Sequence, residues 1–560
     1  MFLVGGGSLV WADDSTIEKT VRHIVSLGDR TTGSPGANQV ADFIASEFRR
    51  FGLKHVDTHE FTLPMRTVSR SIIQLPHQDK PLPIDSMTLN AVSPGTICAP
   101  GITAPLIYVG KGELSQLNGK TIKDAIVLME LSSGRNWLNV ASLGAKALIY
   151  VDRGPTVKFF YKDKFELSPL DFPRLRLSLE RARQYFGDFE NQTKGEVLPW
   201  VRLESDIHWE EVHAKNVYAY IKGSDPDLSE SIILVEAFYD GSGFLPGYAQ
   251  GADEAISIAA LLELAQYLKH HPPARSIVFA ATSGHSQTLA GMREMVWAFV
   301  SHSKGIRDSE RRLKKLIRHC SEQLTLLNEV SFSNEMFKKS DSTLLKTALT
   351  ESIKNEVDRI SRELMRLHMD PERNVDSEKL QILKNRRLHL RRLDWKENFS
   401  DLTEDDILLL KELIPLAQKR LGTKKRDVKK QFRLLKSAHT FRSLVKSGKL
   451  DLVVSLHLSS HGDGFGAFNK GFLHPLKPTI NRVPAYSFLD NMLRQGAEKV
   501  AKELNLKSLF KDTLRPSRRR SWDSYFLDRP ALGGEISALA GLMGITLATT
   551  NDARPYWGTP

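Results

Sequence analysis

Residues 231–240 read Ser-Ile-Ile-Leu-Val-Glu-Ala-Phe-Tyr-Asp, and residues 276–286 read Ser-Ile-Val-Phe-Ala-Ala-Thr-Ser-Gly-His-Ser. Between them, residues 251–268 read Gly-Ala-Asp-Glu-Ala-Ile-Ser-Ile-Ala-Ala-Leu-Leu-Glu-Leu-Ala-Gln-Tyr-Leu. Ser231–Phe238 and Ser276–Ala281 are near-continuous apolar runs of strand length, the pattern of strands buried on both faces. Ala255–Leu268 is apolar over a helical length. Strand, helix and strand in that order predict a parallel, doubly wound α/β sheet.

Working outward, Leu452–Leu458 and Gly544–Ala548 are further strand candidates. On the N-terminal side, Ile17, Val21, Ile24 and Val25 mark one helix, with Ser15 or Thr16 as its cap. Val40, Ala41, Ile44, Phe48 and Phe51 mark a second helix, over about 37–51, that Gly52 ends. A turn-rich link, Gly28-Asp29-Arg30-Thr31-Thr32-Gly33-Ser34-Pro35-Gly36, separates the two. Residues 91–215 are strand-rich and punctuated by Gly and Pro, with short apolar runs at Leu106–Val109, Ala125–Leu128 and Ala147–Val151.

Residues 301–450 are a different kind of polypeptide. They hold 35 Lys and Arg against 22 Asp and Glu, while the other 410 residues hold 43 against 44. The net charge of +12 therefore belongs to this block. It is also nearly free of glycine and proline. Leu313, Leu316, Ile317, Cys320, Leu324 and Leu327 form one narrow stripe at helical spacing, and Leu345, Leu349, Ile353, Val357, Ile360, Leu364 and Leu367 form another. A third runs through Val428, Phe432, Leu435, Ala438 and Phe441. Such stripes predict long antiparallel helices. Two basic runs, Lys384-Arg386-Arg387-Arg391-Arg392 and Lys424-Lys425-Arg426-Lys429-Lys430-Arg433, suit an anionic partner, or are solvated faces interleaved with Asp405, Asp406 and Glu412. Aromatics for base stacking are scarce there, so nucleic acid is not the expected partner. A further cluster, Arg515, Arg518, Arg519 and Arg520, lies outside the block and suits a substrate carboxylate or a surface loop.

The length excludes a mini-protein, the two cysteines, Cys98 and Cys320, exclude a disulfide framework, and no apolar run reaches the span of a membrane helix. Met1–Ala12 is apolar and ends on a small residue, like the tail of a secretory signal without its basic start. Export to a periplasmic or extracellular compartment is expected over the cytoplasm.

Several of these segments together resemble the zinc-dependent aminopeptidases that include glutamate carboxypeptidase and the transferrin receptor. The resemblance rests on Ser26–Gly36, Asn216-Val217, Ile232–Asp240, Gly251–Ala255 and Ile277–Gly291. In residues 95–200, Pro105–Gly110, Gly119-Lys120, Ile126–Leu128, Gly144–Ala147 and Pro173–Leu179 look like that family's protease-associated insert. It implies a peptidase-like domain in three parts (13–90, 216–300 and 451–560) and a β-rich protease-associated insert at 91–215; the signal-like segment at 1–12 and the all-α insertion at 301–450 are read from their own residues.

The family holds two zinc ions with two His and three carboxylates and uses a glutamate as general base. Carried over one position at a time, the first His falls on Phe238, which has no lone pair. Asp240, which orients that His in the family, and the bridging carboxylate Asp253 are present. The Glu-Glu pair falls on His285-Ser286, the next aspartate on His457, and the last His, in the loosest part of the alignment, on Gly558. The chain stops at Thr559-Pro560, where the family usually continues into a final helix, so a truncated or divergent C-terminus is expected. An intact two-zinc site is not expected.

Two readings stay open. In the first, the site is rebuilt around one divalent metal, zinc foremost, held by Asp253, His457 and His285, with His461 and Asp463 as additional donors. His285 and Asp240 then serve catalysis of peptide or aminoacyl hydrolysis. In the second, the chain is a pseudopeptidase that binds a protein partner through the cleft or the helical insertion, much as the transferrin receptor resembles an enzyme without acting as one. A third, anionic-surface or nucleic-acid binding through 301–450, stands behind both.

Overall fold

The structure is a computed structural model. It describes residues 14–192, 195–330, 339–369, 377–446, 448–472, 483–505, 507, 509–511, 513–514, 524–526 and 529–559. The signal-like segment 1–12, the cluster Arg515, Arg518, Arg519 and Arg520, and Pro560 lie outside the described residues. The chain forms two compact units, one from residues 1–300 with 440–560 and one from 301–439.

The first unit is built on one 14-stranded sheet. Its central strands, in spatial order, are Gly544–Thr550, Lys449–His457, Ser231–Phe238 and Ser276–Thr282, all mutually parallel. The long strand Glu196–Ile221 then runs antiparallel to Ser276–Thr282. It carries the sheet on to Ile97–Tyr108, Ile126–Glu130, Ala147–Asp152 and Arg174–Ser178, which are parallel to one another. The expected α/β class, with a mostly parallel central sheet, is the observed one.

Burial explains the apolar runs. Every residue of Ile126–Glu130, Ala147–Asp152 and Ser276–Thr282 is buried. Helices Pro35–Arg50 and Ile256–His270 cover one face of the central strands through Val40, Ile44, Phe48, Ile258 and Leu262, against Val235 and Phe279. Each such side chain contributes about 1.5–3 kcal/mol by leaving water. Helix Gly533–Leu539 lies against strand Gly544–Thr550. A Cβ on Gly534 would come within 2.3 Å of the Ile545 carbonyl carbon, so only glycine permits that approach.

Several elements were not read from the sequence, a long strand among them. Lys54–Gln74 is a 21-residue strand that pairs antiparallel with Glu196–Ile221, with a register shift between Val68 and Arg70. Its burial alternates at His59, Phe61 and Leu63, the period of two of a half-buried strand.

The second unit consists of helices Ser303–Glu329, Lys339–Met369 and Ser377–Trp395 and the part of Glu404–Lys446 up to residue 439. Leu345, Leu349, Ile353 and Ile360 are buried against Leu390, Leu410, Leu413 and Ala417. Part of the basic charge is used internally. Arg386 reaches Glu412 at 2.8 Å and Glu356 at 3.4 Å, while Asp406 takes His389 at 2.6 Å and Lys396 at 2.9 Å. Arg391 and Arg392 are exposed.

Candidate functional site

The central parallel strands end together, where α/β folds place their sites. Strand Ser231–Phe238 delivers Phe238 and then Asp240. Strand Ser276–Thr282 leads into Ser283-Gly284-His285, Lys449–His457 ends on His457, and Gly544–Thr550 leads to Asp552, Arg554 and Trp557.

Asp240 is buried and works as a brace. Its carboxylate accepts from Thr32 Oγ1 and from the Gly284 backbone N–H, each at 2.5 Å. Gly284 holds φ at +74°, which glycine adopts without strain. Burial pushes the Asp240 carboxyl up, while Thr32, Gly284 and the nearby Arg30 oppose that rise. Arg30 is itself fully buried, donating to the carbonyls of Tyr239 at 3.0 Å, Gln250 at 3.1 Å and Gly251 at 2.5 Å. It thereby fixes the loop that carries Asp253. Beside it, burial lifts the Glu254 carboxyl to about 7.

Above this brace lies an aromatic cluster. The rings of Phe238 and His285 stack at 3.9 Å and 21°. His457 lies 5.3 Å from His285, 5.7 Å from Phe238 and 5.0 Å from Trp557. Trp557 meets Phe238 edge-on at 5.8 Å. Burial, with the positive charge of Arg554, pushes His285 down to about 3 and His457 well below its ordinary value. Both imidazoles are neutral at physiological pH. Among the described residues, none forms a hydrogen bond with the buried Nδ1 of His457.

Asp253 is fully engaged. Trp557 Nε1 donates to Oδ2 at 2.6 Å, while the Ser460 backbone N–H at 2.7 Å and the Ser460 hydroxyl at 2.6 Å both donate to Oδ1. His461 Nδ1 lies 2.6 Å from the Ser460 hydroxyl. Asp463 is tied elsewhere, to Asn551 at 2.8 Å, Thr550 at 3.0 Å and Lys511 at 3.1 Å. The structure therefore brings His285 and His457 together and sets Asp240 beneath the His285 loop. It links Asp253 to His457 through Trp557, and leaves Asp463 outside the cluster.

These donors do not fit a metal ion. A carboxylate that already accepts three hydrogen bonds has little left to offer a cation, and a phenyl ring fills the place next to the His285 imidazole. Among the described residues no group of three His, Cys, Asp or Glu side chains is arranged to hold a metal. No catalytic step is therefore drawn through one.

Four residues of the site escaped the sequence reading. Arg30 and Thr32 sit in the stretch read as a turn; a basic residue beside a Gly/Pro-rich link was the available signal. Arg554 and Trp557 lie in the C-terminal stretch, where the alignment was loosest. Arg554, also buried, donates to Thr549 O at 2.9 Å and stands 5.3 Å over the Trp557 ring.

The architecture is an α/β domain with a mostly parallel central sheet and its buried polar and aromatic residues gathered at the strand ends. Residues 216–345 match peptidase family M28, which bears out the resemblance to zinc-dependent aminopeptidases and supports a peptidase-like chain. The match runs past residue 300, into the helical block. No curated protein matches the chain. Among solved structures it is similar to a zinc aminopeptidase from Bacillus subtilis, at 13% identity over 98% of this chain and 88% of that one, with a TM-score of 0.45. It is also similar to an aminopeptidase from Aneurinibacillus sp. strain AM-1, at 18% identity over 53% and 68%, with a TM-score of 0.30. A peptidase M28 precursor from Shewanella amazonensis aligns at 18% identity over 50% and 66%, with a TM-score of 0.35. Among the described residues no helix is long and apolar enough to cross a membrane.

Proposed function

We propose that this chain is a peptidase-like protein that binds a peptide or protein without hydrolysing it. The observation that carries this reading is the Phe238–His285 stack at 3.9 Å, which puts an apolar ring where the family's first metal ligand falls. The engaged carboxylate of Asp253 supports it further. Metal-assisted hydrolysis needs a cation with an open position for water. The three hydrogen bonds already made to Asp253 and the phenyl ring against His285 leave little for such a cation.

The rebuilt single-metal hydrolase stands second, because Asp253, one of its three principal expected ligands with His285 and His457, already accepts three hydrogen bonds. The test is a panel of aminoacyl and peptidyl chromogenic substrates, run with and without added zinc, beside fluorescence-anisotropy titrations with labelled peptides. Saturable binding without turnover supports the proposal. Zinc-stimulated turnover that Asp253→Ala abolishes overturns it in favour of the hydrolase.

A further inference from the structure

The positive charge of residues 301–450 is not spread over that block. Residues 304–319 hold seven Lys and Arg against two acids, and residues 419–436 hold nine against one. The rest of the block holds 19 of each sign, so its whole surplus of +13 sits in these two segments.

They are far apart in the chain, and the fold places them side by side. They lie on helices Ser303–Glu329 and Glu404–Lys446. His439 Nδ1 lies 2.9 Å from Glu310 Oε1, the Lys314 ammonium stands 5.5 Å over the Phe432 ring, and Gln418 Nε2 donates to Asn328 Oδ1 at 2.9 Å. One helix ascends from 310 to 328 as the other descends from 439 to 418, so the two are antiparallel. Leu313 and Val428 are buried. Arg311, Lys315 and Arg318 recur at helical spacing on the side away from Leu313, and Arg426, Lys429 and Arg433 do so away from Val428. Lys314 and Phe432, which touch, are the chain neighbours of Lys315 and Arg433, so the two rows run alongside each other.

All seven cations of the first segment and six of the nine of the second are exposed. Acids temper the face at its edge, where Arg311 lies 3.5 Å from Asp308 and Arg318 lies 3.7 Å from Glu322. None of the exposed large apolar side chains among the described residues falls in either segment. Protein interfaces are anchored on buried aromatic and apolar groups, and surface-bound helices insert them into lipid. A face that offers charge alone suits a ligand of dense, regular negative charge. Each segment is about 25 Å long at 1.5 Å per residue, and a duplex presents about 15 phosphate charges over that length. The scarcity of aromatics speaks against single strands, whereas a duplex keeps its bases stacked inside and its phosphates outside.

We propose that segments 304–319 and 419–436 together form a docking face for the phosphate backbone of a nucleic-acid duplex, bound without regard to base sequence.

The test uses the full chain and short fluorescein-labelled duplexes of two unrelated sequences, titrated by anisotropy over a range of potassium chloride. The proposal expects equal affinity for both sequences and a fall of about a thousandfold between about 50 and 200 mM salt, as for about six neutralised phosphates. Lys315→Gln combined with Lys429→Gln removes one exposed cation from each row and should make the slope of log affinity on log salt shallower by about two. Lys384→Gln combined with Arg391→Gln removes the same charge from exposed positions on helix Ser377–Trp395 and should leave the slope unchanged. No duplex binding at low salt, an equal loss in both double variants, or capture of the chain by phosphatidylserine vesicles or heparin but not by duplex would overturn it.

Discussion

Trp557 Nε1 donates to Asp253 Oδ2 at 2.6 Å, joining two residues 304 positions apart. The carboxylate to which the resemblance gives the metal-bridging position is here a hydrogen-bond acceptor for an indole. The bond ties the C-terminal stretch to the loop before helix Ile256–His270, and it is part of what keeps Asp253 from serving a cation.

Trp557→Phe should therefore act as a stability variant. It keeps an aromatic ring against His457 and Phe238 but deletes the N–H donor to a charged acceptor. A loss of about 2 kcal/mol in urea-unfolding free energy is expected. An unchanged denaturation midpoint would mean that the bond does not persist in solution.

Phe238→Ala probes the aromatic cluster itself. Phe238 is 2% exposed and touches the rings of His285, His457 and Trp557. Removing it leaves a cavity, and the cost should be about 3–5 kcal/mol. A much smaller loss would show that the cluster is loosely packed and open to another occupant.

Most of this fold could be read in the sequence, because strands buried on both faces leave continuous apolar runs. Ser231–Phe238 appears with those bounds, and the strand read at Ser276–Ala281 extends by one residue, to Thr282. Lys54–Gln74 was missed because its outward face is polar and Pro64 interrupts it, although His59, Phe61 and Leu63 carried the alternation. At the site, residue types could be read but bonding could not. Asp253 looks identical in sequence whether it faces a metal or Trp557. Only tertiary packing brings residue 557 to it.

Glu236 gives a pH dependence with a definite sign. It is buried in strand Ser231–Phe238 and accepts hydrogen bonds from the hydroxyls of Thr282 and Ser455. Burial lifts its carboxyl to about 7, against those two donors. Between about pH 4.5 and 7 the unfolded chain has released this proton while the folded chain keeps it, so stability falls as pH rises. The loss amounts to about 3 kcal/mol across the window. Glu236→Gln cannot ionise, and its urea-unfolding free energy should lack that component. Parallel pH profiles for the two proteins would refute the assignment.

Asp406, in the helical unit, has the opposite sign. Burial alone would raise its carboxyl, but hydrogen bonds from His389, Lys396 and the Thr403 backbone hold it down at about 2. Its contribution is present above about pH 4 and is lost as pH falls toward 2. Asp406→Asn should flatten the acid-induced loss of amide protection in helix Ser377–Trp395, measured by hydrogen exchange in the full chain. The same steep loss in both proteins would place the acid sensitivity elsewhere.

The central claim is that the former metal position is closed by the Phe238–His285 stack and the engaged Asp253. Its most direct test is the metal content of the full chain, purified without chelator and dialysed against zinc, read by inductively coupled plasma mass spectrometry. Zinc well below one equivalent, the same in wild type and Asp253→Ala, is the expected result. A full equivalent in the wild type that Asp253→Ala removes would contradict the claim.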